Sequence, residues 1–169
     1  MIFRGKQYKR IAINIKPQLQ FKNILDLLEE IEIPETGTKP QNIKYAVLEM
    51  VNNSVRAHRE HNIEEPLTVT LEELTPGLSI EVRDHGPGFD PALLPYSLSE
   101  DPNAIDVKSD AFVQYRKKNN YKRFGMGLHV VRKTFPDFSL LFLDGNGNAI
   151  SWQPGRIHGT LIKVCTERT

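Results

Sequence analysis

Residues 77–90 read GLSIEVRDHGPGFD. Leu78, Ile80 and Val82 alternate with Ser79, Glu81 and Arg83, a period of two that puts the apolar side chains on one face of a β-strand. Asp84 continues the same parity and so points to the side assigned to the core. An ionised carboxylate there is costly unless something hydrogen-bonds to it. Two readings stand. Either the chain leaves the strand at Asp84, which turns outward and caps the Gly-Pro-Gly turn, or Asp84 accepts a hydrogen bond from a ligand amino group in a pocket between sheet and helices. In the second case Gly86 and Gly88 let the backbone pass close to that ligand.

Upstream, LTVTLEE (67–73) alternates as cleanly, and Thr75-Pro76-Gly77 turns between the two runs, so they pair as an antiparallel hairpin. Ile11, Ile13 and Ile15 mark a first strand. From Pro17 onward, Phe21, Ile24, Leu25, Leu28 and Ile31 recur at helical spacing. The turn formers of IPETGTKPQ break that helix, and Thr38 with Gln41 forms a capping box that has Pro40 in the first turn. A second helix runs from about Pro40 to about His58, with Ile43, Ala46, Val47, Met50, Val51 and Ser54 on one face.

Downstream of the opening stretch, residues 91–124 lack sustained periodicity and pass from acidic (SLSEDPNAID) to basic (YRKKNNYKR), which marks a lid or a disordered loop. Gly125-Met126-Gly127 opens a short helix carrying Leu128, Val131 and Phe135, stopped by Pro136. FSLLFL (138–143), a turn at residues 144–147, AISW (149–152) and TLIKVC (160–165) complete a strand-rich end. This order defines an α/β two-layer sandwich, a mixed and mostly antiparallel sheet with helices on one face.

The chain has 169 residues, the length of one domain with a sizeable core. Its formal charge is +1, 22 basic against 21 acidic residues, which provides no general footprint for nucleic acid or an anionic membrane. The single cysteine excludes an internal disulfide framework and fits a reducing cytosol. With no signal-like apolar region near the start and no apolar run of membrane length, a cytoplasmic protein is expected. His58 and His61 stand three apart without an H-E-x-x-H pattern, so a zinc site is not expected there.

Three further fragments bear on chemistry. On the second helix Glu49 and Asn53 lie one turn apart, within about 40° of each other, flanking the apolar stripe. They are either a solvated flank, or a carboxylate and an amide that polarise a nucleophile and coordinate a hard cation such as Mg²⁺. In RFGMGL (123–128), glycines before a helix leave backbone N–H groups and the helix dipole facing an anion, with Lys122 and Arg123 alongside. Val130 occupies the third glycine position of a dinucleotide fingerprint, and there is no P-loop. Last, Thr160 of Gly159-Thr160 shares parity with Ile162 and Val164, so its hydroxyl faces the same side.

In this order, YAVLEMVNNSVRAH (45–58), DHGPGF (84–89), RFGMGL and GT resemble the N box and the glycine boxes of the GHKL (Bergerat-fold) ATP-binding superfamily. The resemblance spans nearly the whole chain and is nearest to the stand-alone serine kinases that act as anti-sigma factors. It implies ATP and Mg²⁺ as ligands, Glu49 as general base and Asn53 as Mg²⁺ ligand. It further implies Asp84 reading the adenine amino group, Thr160 supporting a bridging water, and Gly86 and Gly88 forming the adenine-side loop. Gly125, Met126, Gly127 and Leu128 would lie by the phosphates, under a lid from which Lys122 and Arg123 reach them. Implied partners are a regulatory protein substrate or a sigma-factor-like protein, with a homodimer left open. The rival readings are a non-catalytic nucleotide-dependent binding module, the ATP domain of a histidine kinase system, and the gyrase, mismatch-repair or chaperone branch.

Overall fold

The computed structural model describes residues 1–121, 123 and 125–166. The elements in chain order are β1 (Ile2–Phe3), β2 (Lys6–Gln7), β3 (Arg10–Ile15), α1 (Phe21–Glu29), β4 (Ile31–Glu32), α2 (Pro40–Glu60), β5 (Leu67–Glu73) and β6 (Leu78–Arg83). They continue with a 3-10 turn (Pro91–Leu93), α3 (Asp110–Lys118), α4 (Gly127–Thr134), β7 (Asp137–Leu143), β8 (Ala149–Ile150) and β9 (Gly159–Thr166). Six strands form one sheet in the order β3-β5-β6-β9-β7-β8, and every one of its ladders is antiparallel.

The registers explain where the core sits. Ile11 faces Leu71, Leu71 faces Ile80, Ile80 faces Val164 and Val164 faces Phe138, so the apolar residues of five strands share one surface. Against it pack Ile43, Ala46, Val47, Met50 and Val51 of α2, Ile24 and Leu28 of α1, and Leu128 and Val131 of α4. The two-layer α/β sandwich expected from the alternation is the observed fold. Pro40 occupies the first turn of α2, and Arg59 stands in its last turn, where positive charge and the helix dipole agree. Arg59 also ties that end down, donating to the Pro17 and Leu19 carbonyls at 2.7 Å each.

Several local expectations are corrected. Ile31 leaves the helical stripe and pairs with Phe3 in a small sheet of order β2-β1-β4. It still reaches the core at 1 % exposure, so its apolar character fitted either assignment. The capping box does not form: Lys39 is the N-cap, no side chain caps the helix, and the Thr38 amide donates to Thr36 Oγ1 at 3.2 Å. A type of turn in which a threonine hydroxyl binds the amide two residues on has won over the cap. The stretch expected to lack regular structure contains α3.

Candidate functional site

Asp84 follows the last residue of β6 and is 5 % exposed. Its Oδ2 accepts from Ser54 Oγ and from Thr160 Oγ1, both at 2.7 Å. Its Oδ1 accepts from the Gly86 amide at 2.8 Å and the Thr160 amide at 3.1 Å. The carboxylate therefore stays on the core side, and its burial is sustained by four donors rather than by a cation. Thr160 bonds to it directly, through both amide and hydroxyl. β9 passes close at this point: a Cβ on Gly159 would stand 2.4 Å from the Asp84 carbonyl oxygen, so only glycine permits the approach.

The loop beyond Asp84 is anchored from behind. His58, at 0 % exposure, accepts the His85 N–H at Nε2 (2.9 Å), and its Nδ1 lies 3.0 Å from the Glu65 carbonyl oxygen. A carbonyl can only accept, so Nδ1 carries the proton and the ring is neutral. Burial holds its pKa below the ordinary value. The room at Gly88 is taken by the protein itself: a Cβ there would come 3.0 Å from Phe142 Cδ1 and Ile157 Cγ2. Its lack of a side chain serves this packing, and the residue also lines the cavity.

Glu49 and Asn53 lie on the flank of α2 that faces the start of α4. A Cβ on Gly127 would stand 2.9 Å from Glu49 Oε2 and 3.0 Å from Asn53 Nδ2. The glycine thus lets the first turn of α4, with its outward N–H groups, come down beside a carboxylate and an amide. Asn53 Oδ1 accepts from Arg56 Nη2 at 2.7 Å. Burial, then the neighbouring Arg123, lowers the pKa of Arg56, as expected for two guanidinium groups turned toward one cavity. Arg123 is paired with Glu60. Glu49 in turn raises the pKa of the exposed Tyr45.

Asp84, Thr160, Glu49, Asn53, Arg56 and Arg123 line one cavity of about 430 Å³, a size that suits a small-molecule ligand. Its walls include Glu49, Asn53, Asp84, Gly86, Gly88, Arg123, Gly125, Met126, Gly127, Leu128 and Thr160, which are the residues singled out from sequence apart from Lys122. Lys122 lies outside the described residues. Ser54, Arg56, Tyr45, Tyr96 and Tyr115 line it as well and were not singled out. Ser54 had a signal: it is a polar residue on the apolar stripe of its helix. The lid residues had none, because their partners are distant in sequence.

The segment between β6 and α4 packs on α4. Tyr96 stacks on Phe112 of α3 (5.7 Å, 21°), with the His129 ring 6.0 Å away. Arg132 donates to the Ser97 and Glu100 carbonyls. Burial pushes the Tyr96 hydroxyl up to about 12, so it is protonated at neutral pH.

The cavity meets the chemical demands of a nucleotide: a buried acceptor at one end, and helix-terminal amides with two guanidinium groups at the other. For Mg²⁺, Asn53 Oδ1 and the Glu49 carboxylate supply hard oxygen donors. No group of three or more His, Cys, Asp or Glu suited to a metal occurs among the described residues, so an ion would need phosphate oxygens to complete its shell. The donor set fits an ion that arrives with a polyphosphate.

The fold is that of an ATPase-type α/β sandwich. Residues 19–153 match the histidine kinase-like ATPase domain, and the chain belongs to that family. Domains of this family bind ATP, generally with Mg²⁺. None of the curated proteins matches the chain. No helix among the described residues is long and apolar enough to cross a membrane.

Proposed function

We propose that this chain binds Mg²⁺-ATP in the cavity beside α2 and transfers the γ-phosphoryl group to a serine or threonine of a regulatory partner, as the resemblance to the anti-sigma-factor kinases implies. The observation that carries this reading is the placement of Glu49 Oε2 against the first residue of α4. ATP binding alone asks for no carboxylate beside the phosphate-binding amides, where it would repel the ligand. Phosphoryl transfer asks for a base within reach of the attacking hydroxyl.

In this mechanism Asp84 accepts the adenine amino group, and Gly86 and Thr160 hold that carboxylate in place. The amides that open α4, with Arg56 and Arg123, bind the phosphates. Asn53 Oδ1 would hold Mg²⁺, which would supply charge neutralisation when bound. Glu49 takes the proton of the acceptor hydroxyl while its oxygen bonds to the γ-phosphorus. The bond from phosphorus to the bridging oxygen breaks, and ADP leaves with that electron pair.

The test is transfer of labelled γ-phosphate from ATP to candidate regulators. Glu49→Gln retains the ATP-induced thermal shift and loses transfer by about 10²- to 10⁴-fold, the range of general-base contributions. Transfer by Glu49→Gln at the wild-type rate would remove the base from the mechanism. ATP binding with no transfer in the wild type would leave a nucleotide-dependent binding module in its place.

A further inference from the structure

The four donors on Asp84 have a consequence for the ligand. A carboxylate offers about four lone-pair sites. Ser54 Oγ and Thr160 Oγ1 fill those of Oδ2, and the Gly86 and Thr160 amides fill those of Oδ1. An incoming amino group must therefore replace a donor. The two amides cannot withdraw without moving the loop or β9. The loop is held by His58, which accepts the His85 N–H at 2.9 Å, and β9 is laddered on both sides, to β6 and β7.

Only the hydroxyls can turn. Thr160 belongs to the residue whose amide is already on Oδ1. Ser54 lies in the interior of α2, where a serine hydroxyl has a second acceptor one turn back along the helix, here the Met50 carbonyl. We propose that Ser54 is a placeholder. It donates to Asp84 Oδ2 in the empty site and yields that position to the exocyclic amino group of a purine, which makes it a specificity-determining residue for bases that carry one. This inference rests on the ATP-binding reading.

Removing the Ser54 hydroxyl takes a charge-assisted bond from the empty site and only a weaker, neutral bond to the Met50 carbonyl from the occupied one. Ser54→Ala therefore lowers ligand-free thermal stability and tightens ATP binding by about fivefold, the ratio that the difference between a charge-assisted and a neutral hydrogen bond supplies. Inosine triphosphate has a carbonyl where ATP has the amino group, and gains nothing.

The experiment is calorimetric titration of the whole chain with Mg²⁺-ATP and Mg²⁺-inosine triphosphate, for wild type, Ser54→Ala, Ser54→Cys and Asp84→Asn. The expected result is an ATP-to-inosine preference raised about fivefold in Ser54→Ala and less in Ser54→Cys, whose thiol is a weak donor. Equal weakening of both nucleotides, or an unchanged preference, overturns the placeholder. If Asp84→Asn loses ATP while Ser54→Ala leaves the preference unchanged, the placeholder alone fails. If wild type does not bind ATP, or Asp84→Asn binds it as well as wild type, the nucleotide reading fails and the placeholder with it.

Discussion

Asp84 is a buried carboxylate in none of the ion pairs formed among the described residues. Replacing it separates its structural cost from its use. In Asp84→Asn the side-chain oxygen can take the Gly86 and Thr160 amides, and the new NH₂ group can donate to the Ser54 and Thr160 hydroxyl oxygens, which accept as well as donate. All four contacts survive as neutral bonds, each weaker by roughly 1 kcal/mol than its charge-assisted counterpart. Against that loss stands relief from burying a charge, itself several kcal/mol. The two nearly offset, so the net change is within about 2 kcal/mol. Asp84→Ala differs because it leaves two buried amides without an acceptor, at about 1–3 kcal/mol each, for a loss of about 2–6 kcal/mol. Urea denaturation without ligand measures both values, and the thermal shift with Mg²⁺-ATP measures binding. The expected outcome is near-wild-type stability in Asp84→Asn, a clear loss in Asp84→Ala, and no ATP-dependent shift in either. Equal destabilisation of the two variants would refute the donor accounting. An ATP shift retained in Asp84→Asn would refute the role of the carboxylate in base recognition.

Two more outcomes follow from the geometry. In Gly127→Ala the new Cβ meets Glu49 Oε2 and Asn53 Nδ2, 2.9 and 3.0 Å away; both are ends of side chains, so α4 keeps its place. Stability holds or rises by up to about 1 kcal/mol, as alanine favours a helix over glycine, while transfer falls on the order of 100-fold through misplaced groups; urea titration beside the transfer assay checks the split. The second outcome concerns pH. Burial lowers the folded-state pKa of His58, and of His129, below the ordinary 6.5. Between that lowered value and 6.5 the unfolded chain binds more protons, so stability is full above 6.5 and declines as pH falls through this window. His58→Gln, followed by denaturation from pH 7 to pH 5, has a shallower decline, with the remainder owed to His129. A slope unchanged in His58→Gln would show that His58 does not carry it.

The fold was legible in sequence wherever one periodicity dominated. Leu78, Ile80 and Val82 alternate because one face of β6 meets α2 and the other does not. The apolar stripe of α2 stands out because that helix buries nine residues, Ser54 and His58 among them. α3 was illegible by the same test: of its side chains only Phe112 is buried, so no stripe develops. A different signal was present, with Ser109 at the N-cap, Asp110 in the first turn and Arg116, Lys117 and Lys118 in the last, the charge order that complements a helix dipole. β1, β2 and β4 are two residues each, too short for alternation to register.

For the site, residue types and parities by themselves assigned each group a direction: Asp84 and Thr160 to the core side of their strands, Glu49 and Asn53 to the flank of one helix, glycines ahead of another, while an outward turn at Asp84 and a solvated flank at Glu49 and Asn53 stayed open. Those are properties of a strand or helix as a periodic object, and they survive without knowledge of neighbours. Only the tertiary structure decided what each group meets. Ser54 and Asp84 are 30 residues apart, and Asp84 and Thr160 are 76 apart. Their hydrogen bonds exist because α2 packs on β5 and β6 while β9 is laddered to β6. The same packing decided that Phe142 and Ile157 stand against Gly88. Local periodicity encodes direction; distance between remote segments is set by how the layers stack.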